Sequence, residues 1–409
     1  MEKESKILLN SIPELINKTF PVPGKFRGAL PSDIAELSRL LTNSRGERSL
    51  SYLTRPNYLS AYLHYFLPWN LYRLCILLPS LNLKLSADDT VADLGCGPLT
   101  FASALWITRP DLRAIPLEFN CVDRSAPVME AGKKLFLALA GQTGSENSCT
   151  WKINLIKKDI NINKSAGHNE ASLVCAVNMF NEQYDRIPHN NTQALRETTK
   201  SAALFMHGET SANGSILTVE PGVPQSGRFI LFLREALAEL GRLPSAPCPH
   251  TTDCPLSRKQ QRQPPAVKQR TKKERWCHFA FETADAPKDL QRLSTAAKLP
   301  KERITFSFLL TEAVNLAGIQ TEAKKREEPL SAGQTGTRNA FRIRVLSDAF
   351  PLPGNRFGRY GCSAKGLVLL TGDMKRIEKT SPLTLIEENK YFITGEHDAK
   401  SGALITELK

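Results

Sequence analysis

Apolar and polar positions follow two rhythms along this chain, and the change between them divides it. Up to residue 85 apolar positions recur at three- and four-residue steps, the period of an amphipathic helix. Ser32-Asp33-Ile34-Ala35-Glu36 has the form of a helix start, a short polar cap ahead of Leu37, Leu40 and Leu41. Tyr58–Leu83 predicts a second helical stretch, dense in aromatic and leucine residues and broken near Pro68 and Pro79. From residue 90 short apolar runs alternate with helical segments. Strands are expected at Thr90–Leu94, Ala114–Val122, Leu155–Lys158, Leu173–Val177 and Ser215–Val219. Helices are expected at Leu99–Ile107, Pro127–Ala140 and Gly227–Leu240. This order implies an α/β domain with a mainly parallel sheet and helices on both faces.

From Leu243 the pattern fades. Residues 243–275 are rich in Pro, Cys, Lys, Arg and Gln, with little apolar periodicity. Ile304–Leu310 and Gly366–Leu370 return as strands, either closing the same sheet or forming a small β unit beside it. Residues 321–340 read as a polar loop, and the tail after Thr380 has no assignable pattern. The expected division is a helical region over 1–85, a nucleotide-binding domain over 86–242, a cysteine-rich basic segment over 243–300, and C-terminal strands over 301–409.

Charge changes the picture more than composition does. The 409 residues carry a formal net charge of +13, an excess that favours a polyanionic partner, nucleic acid ahead of an anionic membrane. Eight Lys or Arg and one Glu fall within residues 258–275. Lys324-Lys325-Arg326, Arg338, Arg342, Arg344, Arg356 and Arg359 follow. A solvated flexible loop explains the insert as readily as a phosphate-binding surface does. The first residues carry acids and lead into no secretory core, and Leu71–Leu83 is too short to span a bilayer. The expectation is an intracellular monomer without a membrane partner, cytoplasmic, with the mitochondrial matrix as the alternative.

The most informative segment is Val91-Ala92-Asp93-Leu94-Gly95-Cys96-Gly97-Pro98. Glycines at alternate positions let the backbone turn sharply and approach a ligand, and the following helix start offers free N–H groups. The spacing departs from the dinucleotide GxGxxG pattern. An acidic residue two before the first glycine instead suits the ammonium of S-adenosylmethionine. Asp123 ends the next strand, where a carboxylate accepts hydrogen bonds from ribose hydroxyls. Asp159, after the strand Leu155–Lys158, stands where an acceptor for the adenine amine is expected. Together these point to a class I S-adenosylmethionine-dependent methyltransferase fold, Rossmann-like, with Asp93, Gly95, Gly97, Asp123 and Asp159 binding the cofactor.

Cys248, Cys254 and Cys277 lie within about thirty residues of mostly polar chain that offers little core to a packed thiol, and Cys362 follows later. Metal ligation accounts for them, as a metal-binding insertion. Four thiolates suit tetrahedral zinc or an iron–sulfur cluster. The spacing, five residues and then twenty-two, is not that of a zinc ribbon, and proline directly after Cys248 and Cys254 leans toward iron–sulfur. His250 and His278 are alternative ligands. The other five cysteines read as packing thiols.

Several segments, namely Ser51-Tyr52-Leu53 to Leu71-Tyr72-Arg73, the Asp93–Pro98 turn, Val219-Glu220-Pro221-Gly222-Val223-Pro224, Cys-Pro-His, Cys-Pro-Leu and Trp-Cys-His-Phe, have a counterpart in one family. Over roughly residues 30–370 the chain resembles the mitochondrial-type small-ribosomal-subunit methyltransferase-like (Rsm) proteins, as a bacterial-type member. The resemblance implies a role on the small ribosomal subunit during its assembly, contact with its rRNA, and a [4Fe–4S] cluster. Matched motif by motif, the cluster ligands are Cys248, Cys254, Cys277 and Cys362. Asp93, Gly95, Gly97 and Asp123 line the S-adenosylmethionine site. Two departures stand out. The gap from Cys254 to Cys277 is longer than the family's usual one, and the sequence after Tyr391 matches its C-terminal pattern poorly.

Catalytic residues are not legible. RNA N-methyltransferases often carry an Asn/Asp-Pro-Pro-aromatic motif after the fourth strand, where this chain has Asn178-Met179-Phe180-Asn181-Glu182 without proline. The expectation is therefore an S-adenosylmethionine-binding, iron–sulfur-containing protein of the small subunit, with rRNA as its candidate methyl acceptor. Two alternatives stay open: an assembly or sensing factor without turnover, and a methyltransferase for a protein or small molecule.

Overall fold

The computed structural model describes residues 1–42, 53, 55–144, 149–164, 170–257, 275–313 and 341–409. Ser51, Tyr52, the basic insert up to Glu274, the loop 321–340 and its basic residues Lys324, Lys325, Arg326 and Arg338 lie outside the described residues. Two compact units emerge. The first comprises Met1–Pro188, Gly208–Ser211 and Phe281–Ile304; the second comprises His189–His207, Ala212–Ala280 and Thr305–Lys409.

The N-terminal helices are α1 (Lys3–Thr19), α2 (Gly24–Arg27), α3 (Leu30–Thr42), α4 (Pro56–Ala61) and α5 (Leu67–Leu77). A π-helical turn, Tyr62–Phe66, joins α4 to α5. Pro68 does not break this stretch, contrary to the sequence expectation. It falls in the first turn of α5, where a missing backbone donor costs least, and the π turn directly precedes it. Next come β1 (Thr90–Leu94), α6 (Thr100–Thr108), β2 (Leu117–Asp123), α7 (Ala126–Gly141), β3 (Trp151–Lys157) and β4 (Ala171–Val177). The four strands run parallel in the order β3-β2-β1-β4.

The first unit's core is built around α6, all nine of whose residues are buried. A helix apolar on every side must be enclosed. Leu8, Leu9, Ile12, Leu15 and Ile16 form the buried stripe of α1, which packs on α5, α6 and α7. Trp106 meets Trp151 edge-on at 4.8 Å, and Trp151 stacks on Phe119 at 4.8 Å. The Trp151 indole donates to the Leu112 carbonyl at 2.9 Å, so its polar end is satisfied.

α8 (Asn181–Tyr184) and α9 (Thr192–Glu209) lead into β5 (Thr210–Pro221), α10 (Pro224–Glu239) and β6 (Arg242–Ala246). They are followed by β7 (Phe279–Glu282), α11 (Lys288–Ala296) and β8 (Arg303–Ala313). β8 lies between β5 and β6, antiparallel to both. Residues 282–304 return to the first unit. There Trp69 Nε1 donates to Ser294 Oγ at 3.1 Å, and the Tyr72 hydroxyl donates to the Glu282 carbonyl at 3.1 Å.

The remaining strands form their own sheet. They are β9 (Ile343–Val345), β10 (Phe350–Leu352), β11 (Arg356–Ser363), β12 (Gly366–Gly372), β13 (Leu385–Ile386), β14 (Tyr391–His397) and β15 (Leu404–Leu408). Their order is β13-β9-β11-β12-β15-β14, with β10 on β11. Ile343, Val345, Val368, Leu370, Leu408 and Ile377 of α12 (Met374–Glu378) make its core. Of the two strands expected after residue 300, β8 thus joins β5 and β6, while β12 belongs to this separate sheet. The unassigned tail supplies β13, β14 and β15.

Candidate functional site

Register fixes the surroundings of Asp93. Parallel pairing sets Cys121 of β2 and Cys175 of β4 opposite it, one on each neighbouring strand. The Cys175 thiol donates to Asp93 Oδ1 at 3.4 Å. Asp93 Oδ2 is buried and has no hydrogen-bond partner among the described residues. Burial raises the Asp93 carboxyl to about 7, Cys175's hydrogen bond works against the rise, and the charge of Asp123 adds to it. A buried carboxylate with one unsatisfied oxygen is unfavourable until a donor reaches it, and a cationic donor compensates best.

The turn after β1 needs residues that accept positive φ. Gly95 stands at φ 68°, Gly97 at 51°, and Leu99, ahead of α6, at 55°. A Cβ on Gly95 would lie 2.7 Å from Met179 Cγ, so both backbone freedom and space demand glycine there. Gly97 N donates to Asp123 Oδ2 at 3.0 Å, and Ser125 N donates to Oδ1 at 2.9 Å. Asp123 thereby braces the turn, while each oxygen keeps capacity for a further donor. Burial raises its carboxyl, and the two backbone donors hold that rise down.

α7 presses on the same turn through Gly132. A Cβ there would lie 2.3 Å from the carbonyl carbon of Pro98. Backbone cannot yield as a side-chain end can. Gly132→Ala should therefore cost about 2–3 kcal/mol of stability, read as a lowered Tm, and a melting point equal to the unmutated chain's would contradict this packing.

The sequence expectations land unevenly. Asp93, Gly95, Gly97 and Asp123 meet at one turn. Asp159 does not lie at a strand end: β3 stops at Lys157, and Asp159 is exposed two residues beyond. After β4, Asn178 takes the left-handed conformation at φ 54° with its Oδ1 buried and unpartnered among the described residues. Arg124 pairs with Glu182 at 2.9 Å beside it. Sequence reasoning treated Cys175 as core filling. It is buried, yet its thiol also orients Asp93, a role that only the strand register reveals.

In the second unit Cys248, Cys254, Cys277 and Cys362 line one cavity of about 200 Å³ together with Arg234, Arg344 and Trp276. Trp276 is locked in place. Its indole donates to the Gly222 carbonyl at 3.1 Å, its ring stacks on His278 at 4.8 Å, and Gly227 leaves no room for a Cβ against it. Arg234 donates to the carbonyls of His250 (3.3 Å) and Thr252 (2.6 Å), and Arg344 to those of Pro247 (2.9 Å) and Leu383 (2.5 Å). Burial raises all four thiols, Cys254 to about 11. The neighbouring thiols push Cys277 and Cys362 further, and Arg234 opposes them. His250 Nε2 lies 3.3 Å from Cys362 Sγ, and burial pushes its ring down to about 4. The expected metal-binding insertion is not borne out as an ion site. Among the described residues no three His, Cys, Asp or Glu side chains converge closely enough to hold a metal ion.

A parallel β3-β2-β1-β4 half, a β5-β8-β6 half with an antiparallel middle strand, and an Asp-x-Gly-x-Gly turn after β1 define a class I methyltransferase-like α/β fold. Within that class the chain belongs to the family described as mitochondrial small ribosomal subunit Rsm22, which matches residues 93–326. No curated protein matches the sequence. Similar solved structures include the pyocyanin biosynthetic protein PhzM, 11% identical, with 75% of this chain and 73% of that one covered at TM-score 0.34. Geranyl diphosphate methyltransferase with GPP and sinefungin is 14% identical, covering 63% and 82% at TM-score 0.28. A Listeria monocytogenes protein assigned to the class I S-adenosylmethionine-dependent methyltransferases is 11% identical, covering 77% and 88% at TM-score 0.30. Scores this low carry nothing over to this chain. Its class rests on its own strand order and turn. No helix among the described residues is long and apolar enough to cross a membrane.

Proposed function

We propose that this chain binds S-adenosylmethionine at the Asp93–Leu99 turn and acts on the small ribosomal subunit, in contact with its rRNA. The observation that carries the reading is Asp93, a buried carboxylate with one oxygen held by Cys175 and the other unsatisfied. That oxygen suits the ligand's ammonium. Gly95 and Gly97 leave backbone open to its approach, Asp123 suits the ribose hydroxyls, and Asp159 remains the candidate acceptor for the adenine amine. Family membership and the charge of +13 support the ribosomal partner.

The cysteine cavity takes part in the same proposal. What supports a part for it is the shared lining: four thiols and two guanidiniums border one space, a set that suits a cluster ligated by four thiolates, whose overall charge is negative. Cys248, Cys254, Cys277 and Cys362 would hold a [4Fe–4S] cluster, which would staple the loops after β6 to β11. Zinc is the competing occupant.

Methyl transfer is an in-line displacement, so this chain would contribute alignment and exclusion of water. Asn178, Asn181 and Glu182, after β4, would be the groups to orient an acceptor. Co-sedimentation with small ribosomal subunits tests the partner. The chain should pellet with them at low salt and be released as salt rises, and charge reversal across 258–275 should weaken it about tenfold or more. A chain that stays in the supernatant at low salt would sink the ribosomal reading.

A further inference from the structure

The loop after β6 carries a histidine for which the four-thiol reading has no role. His250 follows Cys248 by two residues and is buried, as is Cys362. Its Nε2 lies 3.3 Å from Cys362 Sγ, although 112 residues separate the two in sequence. Its Nδ1 lies 2.8 Å from Thr252 Oγ1, and Thr252 is exposed. One end of the ring thus meets a sulfur of the cavity lining, and the other meets a hydroxyl on the surface.

Each partner is fixed independently of the ring. Cys362 sits inside β11, opposite Arg344 of β9 on one side and Leu367 of β12 on the other. The loop is held by Arg234 of α10, which donates to the backbone carbonyls of both His250 and Thr252. The same guanidinium lines the cysteine cavity, and its Nε is buried without a hydrogen-bond partner among the described residues. A sulfur-rich anion bound there would satisfy such a donor. The ring's own proton is decided by its neighbours. A neutral imidazole carries one N–H, and a ligating thiolate can only accept. With Cys362 as a thiolate, that N–H belongs on Nε2, and Nδ1 needs a donor. The Thr252 hydroxyl, which can donate or accept, supplies it.

We propose that His250 is a positioning residue for the four-cysteine site, donating Nε2–H to the Cys362 sulfur while Thr252 holds it in that tautomer. The inference rests on the cluster reading above and adds the residue that tunes one of the cluster's sulfurs. Such a hydrogen bond has two consequences. It stabilises negative charge on the sulfur, and a reduced cluster carries one more negative charge than an oxidised one, so the bond favours reduction. It also holds the ligand sulfur in one orientation, which slows loss of the bound group.

The full chain, purified without oxygen, tests it through two readouts: a reduction potential from redox titration, and the rate of iron release to a chelator. His250→Leu should lower the potential by about 59 mV, a tenfold change in a one-electron couple, and release iron about tenfold faster. His250→Gln keeps an N–H near the Nε2 position and should restore most of both. Thr252→Val alters an exposed side chain and no thiol, and should move both quantities the same way by less. Faster release from His250→Leu at an unchanged potential would mean a merely structural histidine and overturn the proposal. Equal loss of iron from His250→Gln and His250→Leu would also overturn it, because the ring nitrogen would then be a ligand. Should His250→Leu fail to accumulate, Thr252→Val decides, and an unchanged potential there counts against the bond. Zinc in place of iron and sulfide would remove the cluster reading alone. The bond would then stand on faster zinc release from His250→Leu than from His250→Gln, and fall on equal release. A metal-free unmutated chain would remove both.

Discussion

Asp93→Asn is expected to weaken S-adenosylmethionine binding by at least about a hundredfold while making the ligand-free protein more stable at neutral and alkaline pH. The loss of affinity follows from removing a buried charge partner for the ligand's ammonium, an interaction of about 3 kcal/mol or more. The gain in stability follows from linkage. The Asp93 carboxyl is raised to about 7 from the ordinary value of 3.8. Between those values the native chain keeps a proton that the unfolded chain releases. Stability of the ligand-free protein therefore falls as pH rises from about 4 to about 7 and is flat above, a loss on the order of 4 kcal/mol. Asparagine escapes that loss but leaves an amide N–H without an acceptor, at about 1–3 kcal/mol. The net gain above pH 7 is then about 1–3 kcal/mol, and below pH 4 the variant has no advantage. Melting curves across pH check the stability arm and calorimetry the binding arm. In the unmutated protein, affinity should fall about tenfold per pH unit below 7 and level off above. A pH-independent affinity would show that the ligand's ammonium does not meet Asp93.

The contrast between Asp93 and Asp159 shows what the sequence could carry. Both are acids near predicted strand ends. Asp93 was legible because two glycines and a buried run pin the turn, and positive φ at Gly95 and Gly97 is what such spacing demands. Asp159 had only its position after the strand: it stands exposed two residues beyond β3, with no glycine turn or buried run to mark it. The alternation of β1 to β4 with α6 and α7 was legible for a similar reason: enclosed strands and an all-apolar helix leave a strong pattern. The polar helices α9 and α11 and the strands of the C-terminal sheet other than β12 were not, because their stability comes from tertiary packing and pairing rather than from local periodicity. Long-range geometry was invisible throughout. Nothing local places Cys362 of β11 in one cavity with Cys248, or Cys175 against Asp93; only the fold does.

Cys277→Ser is expected to have the largest effect on the folded chain. Cys277 lies in the Trp276-His278 segment and shares its cavity with thiols from three other places in the sequence. Burial penalises each thiolate, so without a bound cationic centre the four rest as neutral thiols. A metal group binding them as thiolates would have to supply the compensating charge, which the guanidiniums of Arg234 and Arg344 would supply only in part. A group bound by all four would join the loops after β6 to β11, and its binding free energy would count as folding free energy. Protein purified without oxygen should carry iron and acid-labile sulfide in about equal amounts, roughly four of each per chain. Cys277→Ser should lose both and melt about 10 °C lower, or fail to accumulate in soluble form, because structural metal binding is worth several kcal/mol at least. Cys149→Ser, a half-buried thiol in the first unit, should change neither quantity. Zinc at one per chain with no sulfide would defeat the cluster. A metal-free protein with the melting point of Cys277→Ser would reduce the four thiols to packing.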